Sequence, residues 1–369
     1  MAHRLPLLQG GLHLRGHCRD STEYRRPTIA RSGPRGMSEI IESDDMALLA
    51  ASFEAVMADA PGPSEADQAL CDLGWGELLA AAPGPAAAMA FSALGTTGSA
   101  ATLLDDVVAH ALGMPFSPDV CVLFPDFIHA IPAAPQSSEP RILNQEEPLE
   151  VSGLVSSRID RAATVVTVMD GEYGSELTSF EAGFLRGRGA TGVDPAHAYR
   201  HLSVRVAAHF LTPLETKATW NTAVAAARVA LAHQLIGGAR WMLAEARQHA
   251  LDRVQFGRPV ASFQSIRHKL AESLVQIEGA ASVAGACLHD PNPLLASLAK
   301  SLAGQAALTT AIHAQQVLAG MGFTAEHRFH LWLKRMLVVD TMFGSASSLP
   351  TEIGKDLLTR GTAPRLIQL

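Results

Sequence analysis

Disulfide chemistry, membrane spans and a basic surplus are all missing from this sequence, and each absence removes a class of function. The four cysteines, Cys18, Cys71, Cys121 and Cys287, are scattered with no C-x-x-C pair. Neither a disulfide framework nor a zinc knuckle is therefore expected, and they read as reduced thiols of a cytoplasmic protein. Charged residues interrupt every apolar run well before the roughly 20 residues that a bilayer span needs, so no membrane span is expected. The formal net charge of −7 and pI of about 6.1 leave nothing for nucleic acid or an anionic membrane to attract. No H-E-x-x-H motif occurs. His327 and His330 lie three apart beside Glu326, but they fall in a turn and a helix entry, and no metal site is expected there. No internal repeat is found, and the Ala-richness of the second half reads as close helix packing.

What is present is enough apolar residue, 48% of 369, to fill a sizeable core in two or three structural units. Residues 1–36 stand apart. Arg4, Arg15, Arg19, Arg25, Arg26, Arg31 and Arg35 face only Asp20 and Glu23, without an apolar period. This segment reads as disordered, either an organelle transit peptide or an extension created by a start codon placed too early, with Met37 opening the helical text. From 37 to 115 the apolar residues recur at helical spacing, which predicts a small helical domain. Between 116 and 212 the runs "DVCVLF", "LEVSGLV", "ATVVTVMD", "SELTSF" and "YRHLSVRV" predict a β domain. From 213 to 369 long helices return, at Lys217–Phe256, Phe263–Leu288, Pro293–Leu318 and Phe329–Phe343, with connections short enough for an antiparallel four-helix bundle. The predicted fold class is mainly α with a central β domain.

The stretch "ALDRVQFGRP" ends the first long helix. Gly257 suits a left-handed cap, Pro259 stops the helix, and Arg253 sits where exposed carbonyls favour a cation. Two further stretches accompany it: "FQSIRHKLAE" from Phe263, and "AQQVLAGMGFTAEHRFHLWLKR" from Ala314, which holds a Gly-containing turn and the basic pair Lys334 and Arg335. With "SLAKSLAG" at Ser297–Gly304 between them, these pieces resemble the acyl-CoA dehydrogenase family over about 217 to 345. The domain order read from the patterns agrees with that family's architecture.

The resemblance implies a dinucleotide role for the first stretch. Arg253 would reach across a subunit interface to the pyrophosphate of FAD held mainly by a neighbour, with Gln255 and Phe256 lining the same cofactor; a guanidinium offers fixed charge and planar donors for such oxygens. Gln316 and Gly320 would meet the adenine half. The family chemistry also needs a carboxylate base at the acyl α carbon. At the first position where the family supplies it this chain has Phe343, followed by Gly344; at the second it has Ala227, followed by the retained Arg228. The flavin-ring signature of the β domain is missing as well, "SSEPRILNQEEPLEVSGL" being the nearest text. This pattern resembles the non-catalytic β chain of actinobacterial heterotetrameric acyl-CoA dehydrogenases of steroid breakdown. The closing text from Gly344 resembles these bacterial members too.

The resemblance thus implies a companion subunit that completes the FAD site of a related catalytic partner, alongside an acyl-CoA substrate and an electron-transfer acceptor. Two alternatives stay open. The chain could be a complete enzyme with a relocated base, Asp340 first and Glu245 or Glu326 more distantly, or a CoA-thioester-binding or assembly module without a redox role. His233 and Gln234 read as packing or interface residues. Asp105 and Asp106 read as an exposed helix face.

Overall fold

A computed structural model describes residues 43–127 and 148–362, apart from 172–173, 186–189, 195, 197–198 and 289–291. The extension at 1–36 and most of the stretch around "SSEPRILNQEEP" lie outside the described residues. Five helices come first: α1 (Ser43–Asp59), α2 (Pro63–Asp72), α3 (Trp75–Ala81), α4 (Pro83–Thr97) and α5 (Leu103–Ala111). Prolines at the first turns of α2 and α4 fix the starting φ where no amide partner is needed, and Gly98, at φ 67°, ends α4 in the left-handed conformation.

Seven strands follow: β1 (Val120–Val122), β2 (Pro148–Val155), β3 (Thr164–Gly171), β4 (Gly174–Glu181), β5 (Ala190–Thr191), β6 (Arg200–Ala207) and β7 (Thr212–Pro213). They form two sheets, of order β1-β3-β4-β7 and β2-β6-β5. β2 pairs antiparallel with β6, setting Val151 opposite Val204, and the bridge between Phe124 and Leu154 ties the sheets together. Cys121, Val151, Val165, Phe180, Leu202 and Val206 fill the space between them. Each β-rich run of the sequence contributes to one of these strands, because β-branched residues recur there at the alternation a half-buried strand requires.

The last third is helical: α6 (Trp220–Asp252), α7 (Gln264–Ala286), α8 (Pro293–Leu318), α9 (Phe329–Thr341) and α10 (Leu349–Arg360). α6 has 33 residues, about 50 Å at 1.5 Å per residue, and packs on α4, α7, α8 and α9. Small residues allow backbone approach. A Cβ at Gly95 would stand 2.2 Å from the Gln234 carbonyl oxygen, and one at Gly237 would stand 2.4 Å from the Ser92 carbonyl oxygen. The Trp241 and Trp332 rings stack at 3.6 Å and 8°, while Trp332 Nε1 donates to the Gly95 carbonyl at 2.9 Å.

Two expectations fail here. The first long helix runs 220–252, not to Phe256: Thr219 caps its start by accepting from the Thr222 amide. Residues 254–259 form a hairpin, β8 (Val254–Gln255) and β9 (Arg258–Pro259). Phe256 and Gly257, at φ 54° and 77°, are its two loop residues, so Gly257 serves a tight turn whose twist matches the paired strands and does not cap the helix. Asp105 and Asp106 are buried, 0% and 4% exposed. Arg158 of the β domain explains this: it forms a two-pronged ion pair with Asp106, to which Trp75 Nε1 also donates at 3.0 Å. Asp105 accepts from Ser156 Oγ and the Val122 amide, both at 2.7 Å. Those donors offset the burial that an amphipathic-face reading would forbid.

Candidate functional site

The N-terminal ends of α6 and α8, the turn after α9, one face of α10 and loops of the β domain line a solvent-open cavity of about 1170 Å³. Its apolar wall includes Phe127, Leu177, Leu214, Trp220, Leu294 and Phe343. Phe343 stands edge-on to Phe124 at 5.8 Å and tilted against Trp220 at 6.3 Å. It is a wall residue with no ionisable group, at one of the two positions where the resemblance implies a base. Ala227, at the other, is fully buried and does not line the cavity.

Arg228 and Gly344 both line this cavity. Arg228 is 8% exposed, and every nitrogen of its guanidinium is used. Nε donates to the Phe343 carbonyl at 2.9 Å, Nη1 to Ser297 Oγ at 2.6 Å, and Nη1 and Nη2 to the two carboxylate oxygens of Glu352 at 2.9 Å each. Phe343 and Gly344 have φ 56° and 101°, consecutive positive values that invert the chain between α9 and α10. The turn is fastened from below by Lys300, fully buried, whose Nζ donates to the carbonyls of Asp340 at 2.8 Å and Gly344 at 3.1 Å. Burial pushes the Lys300 ammonium down to about 8, against the opposing pull of Asp340. Asp340 itself is 6% exposed, accepts from the Ala346 amide at 3.1 Å, and is not among the residues lining the cavity.

Of the carboxylates lining the cavity, Asp126, Glu176, Glu352 and Asp356, none was singled out by the sequence reading, and Glu352 is the one paired with Arg228. Its signal was indirect: a buried Arg228 without an acid at 227 or 343 needs a counter-charge from elsewhere, and that charge sits 124 positions further on.

The remaining residues lie elsewhere. Arg253, Gln255 and Phe256 share the β8–β9 hairpin and are exposed, the Phe256 ring to 90%. Gln316 and Gly320 are exposed at the end of α8 and in the 3-10 turn Ala319–Phe323. The turn that follows lies near the end of α6 that carries the hairpin, since His327 Nε2 is 3.8 Å from Glu245 Oε2. Arg228 and Arg253 are 25 positions apart along α6 and its cap, about 38 Å at helical rise. Hairpin and cavity are therefore at opposite ends of one helix. Val254, Leu274, Val275, Ile312 and Phe323 are exposed apolar residues of the same third of the chain, Phe323 to 79%. His327 Nδ1 accepts from the Phe329 amide, and His330 Nδ1 donates to the His327 carbonyl, so both rings serve the start of α9. His233 is pushed down to about 4, first by burial and then by Arg240, which makes it a neutral packing ring.

Comparison with known proteins bears on the fold and on the last third of the chain. Residues 218–358 match the acyl-CoA dehydrogenase C-terminal domain. IpdE2, an acyl-CoA dehydrogenase of Mycobacterium tuberculosis, is 38% identical over 109 residues, 30% of this chain and 34% of its own length. The alignment thus spans about a third of that curated relative. A chain of the Tcur3481-Tcur3483 steroid ACAD variant superposes with a TM-score of 0.66 at 19% identity, over 86% of this chain and 98% of that one. A chain of the ChsE4-ChsE5 complex from Mycobacterium tuberculosis does so with a TM-score of 0.64 at 17% identity, over 88% and 99%. The chain has the acyl-CoA dehydrogenase fold, and its residues 218–358 belong to the C-terminal domain of the acyl-CoA dehydrogenase family. Among the described residues, no helix is long and apolar enough to cross a membrane.

Proposed function

We propose that this chain is the companion subunit of a cytoplasmic, FAD-dependent acyl-CoA dehydrogenase that acts on a lipid- or steroid-derived thioester, and that it completes the FAD site of a related catalytic chain. One observation carries the reading: the hairpin beside Arg253 stands at one end of α6, and the cavity that has no carboxylate at 227 or 343 stands at the other. A hairpin about 38 Å from its own cavity has to serve a cofactor seated in another subunit. Its donors fit a pyrophosphate. Residues 253–263 hold two arginines, one glutamine and no acid, and Arg253 and Gln255 are exposed. When bound, FAD supplies the hydride acceptor for α,β-dehydrogenation. In this reading Arg253 and Gln255 hold its phosphates, Phe256 covers its flank, and Gln316 and Gly320 meet its adenine half.

Within the cavity, Arg228 and Phe343 form a wall without a proton acceptor at 343 or 227. Asp340, the candidate for a relocated base, is engaged with the Ala346 amide, which favours the companion reading over a self-sufficient enzyme. The exposed apolar residues of the bundle support an extensive subunit interface. The two solved neighbours described above, one of them a chain of a two-protein complex, support a related chain as the partner.

Co-expression with a related acyl-CoA dehydrogenase chain that keeps the carboxylate base tests the proposal. The expected product is a heteromer with about one FAD for each pair of chains, while this chain purified alone is flavin-poor and inactive. A yellow homomer of this chain that turns over an acyl-CoA overturns it.

A further inference from the structure

One side of the cavity is a single helix. Ser348, Glu352, Ile353, Asp356 and Arg360 line it, at spacings that put them on one stripe of α10 and its preceding residue. The helix is lightly anchored for that position. Leu349 is its buried residue, Leu358 on another face is 84% exposed, and a Cβ at Gly354 would meet no atom within 4 Å. Twelve residues are too few for a helix to persist in water by itself.

Beyond Leu349 and its packing against α8, α10 is tied down by the paired contact of Glu352 with Arg228. The two sides of this contact are unequal: the Arg228 side chain is 10% exposed and that of Glu352 56%. The guanidinium has two further contacts that do not involve Glu352, to Ser297 Oγ and to the Phe343 carbonyl. The carboxylate already touches water, so releasing it requires little new solvation. The chain between α9 and α10 reverses at Phe343 and Gly344, and Lys300 pins that reversal to α8. A pinned reversal, a lightly buried helix and one half-wet ion pair are the parts of a hinge, a flap and a catch.

We infer that α10 is a lid over the cavity, latched by Glu352 on Arg228. Opening exchanges the ion pair for water at Glu352 and leaves Arg228 facing the entrance, ready for an acceptor group of whatever enters. The inference rests on the reading above for the nature of that ligand, an acyl thioester. The opening itself is a property of the chain and is measured without ligand.

Amide hydrogen exchange of the full-length chain, followed peptide by peptide, tests it on wild type and Glu352→Gln. In the variant, residues 353–360 are expected to exchange about tenfold faster, the loss of one charge-assisted contact, while α8 exchanges as in wild type. Raising the salt concentration speeds α10 more in wild type than in the variant, because screening acts on the Glu352–Arg228 pair that the variant has already lost. Asp356→Asn, which breaks the Asp356–Arg360 pair inside α10, keeps the salt response. If Glu352→Gln folds poorly, Glu352→Asp, which draws the carboxylate back by one methylene, takes its place with the same expectation. Equal, slow exchange of α10 and α8 in both proteins makes α10 a fixed wall and overturns the inference. So does α10 exchange in wild type that is already as fast as in the variant and insensitive to salt. A failure of the acyl-CoA reading appears separately, as a flavin-free complex, and leaves these rates unchanged.

Discussion

Lys300 has no water to fall back on. Its ammonium is fully buried and satisfied by two backbone carbonyls, so Lys300→Met strands both acceptors beneath the turn that presents Phe343. The expected loss is roughly 2–4 kcal/mol, read as a lower urea midpoint. Asp105 is the opposite case, a carboxylate raised from 3.8 to about 6 chiefly by burial, against the pull of Arg158 and the bonds from Val122 and Ser156. The folded state therefore holds its proton more tightly than the unfolded state does. This contribution to stability is full below pH 3.8, falls as pH rises through about 6, and amounts to at most about 3 kcal/mol. Denaturation of Asp105→Asn across that window is expected to show a flatter pH dependence than wild type. An unchanged slope would show that the carboxylate titrates normally. Neither residue was legible as a structural centre. Lys300 lay in a recognisable motif whose text does not show that its nitrogen points inward. Two adjacent acids in a short helix look solvated until an arginine 52 positions away arrives.

At the scale of elements, α4 and α6 meet through their backbones. Gly95→Ala places a methyl carbon against the Gln234 carbonyl oxygen and is expected to cost about 1–3 kcal/mol by overpacking, measurable as a lower thermal midpoint. Gly279→Ala, where a Cβ meets nothing, is the control and is expected to be neutral or slightly stabilising within the helix. Helix and strand identity was readable because period and β-branching act locally. The hairpin at 254–259 was not, because Gly and Pro punctuate a helix end and a two-residue turn alike; only the pairing of Val254 with Pro259 and of Gln255 with Arg258 decides between them. The cavity was readable in part. Arg228, Phe343 and Gly344, positions that the family resemblance singles out, line it, but Glu352 reaches it through a closing helix whose position no sequence period fixes.

Between the N-terminal helices and the β domain lies a set of charges, buried at Arg158 and Asp106 and part-exposed at Arg161. Arg158 serves Asp106 and Thr102, and Arg161 serves Asp67 and Ser64. Arg158→Met leaves Asp106 buried without its cation, with an expected loss of about 3–5 kcal/mol, and a matching Asp106→Leu in the same chain recovers much of it. A double-mutant cycle by urea denaturation measures that recovery, and strict additivity would show the pair to be uncoupled. The Trp241–Trp332 stack joins α6 to α9, and the Trp332 hydrogen bond joins α9 to α4. Two nearly parallel indoles at 3.6 Å couple their electronic transitions, so the protein contains its own chromophore pair. The near-ultraviolet circular dichroism of that pair is an optical gauge of whether these three helices are still docked, and it needs no attached dye.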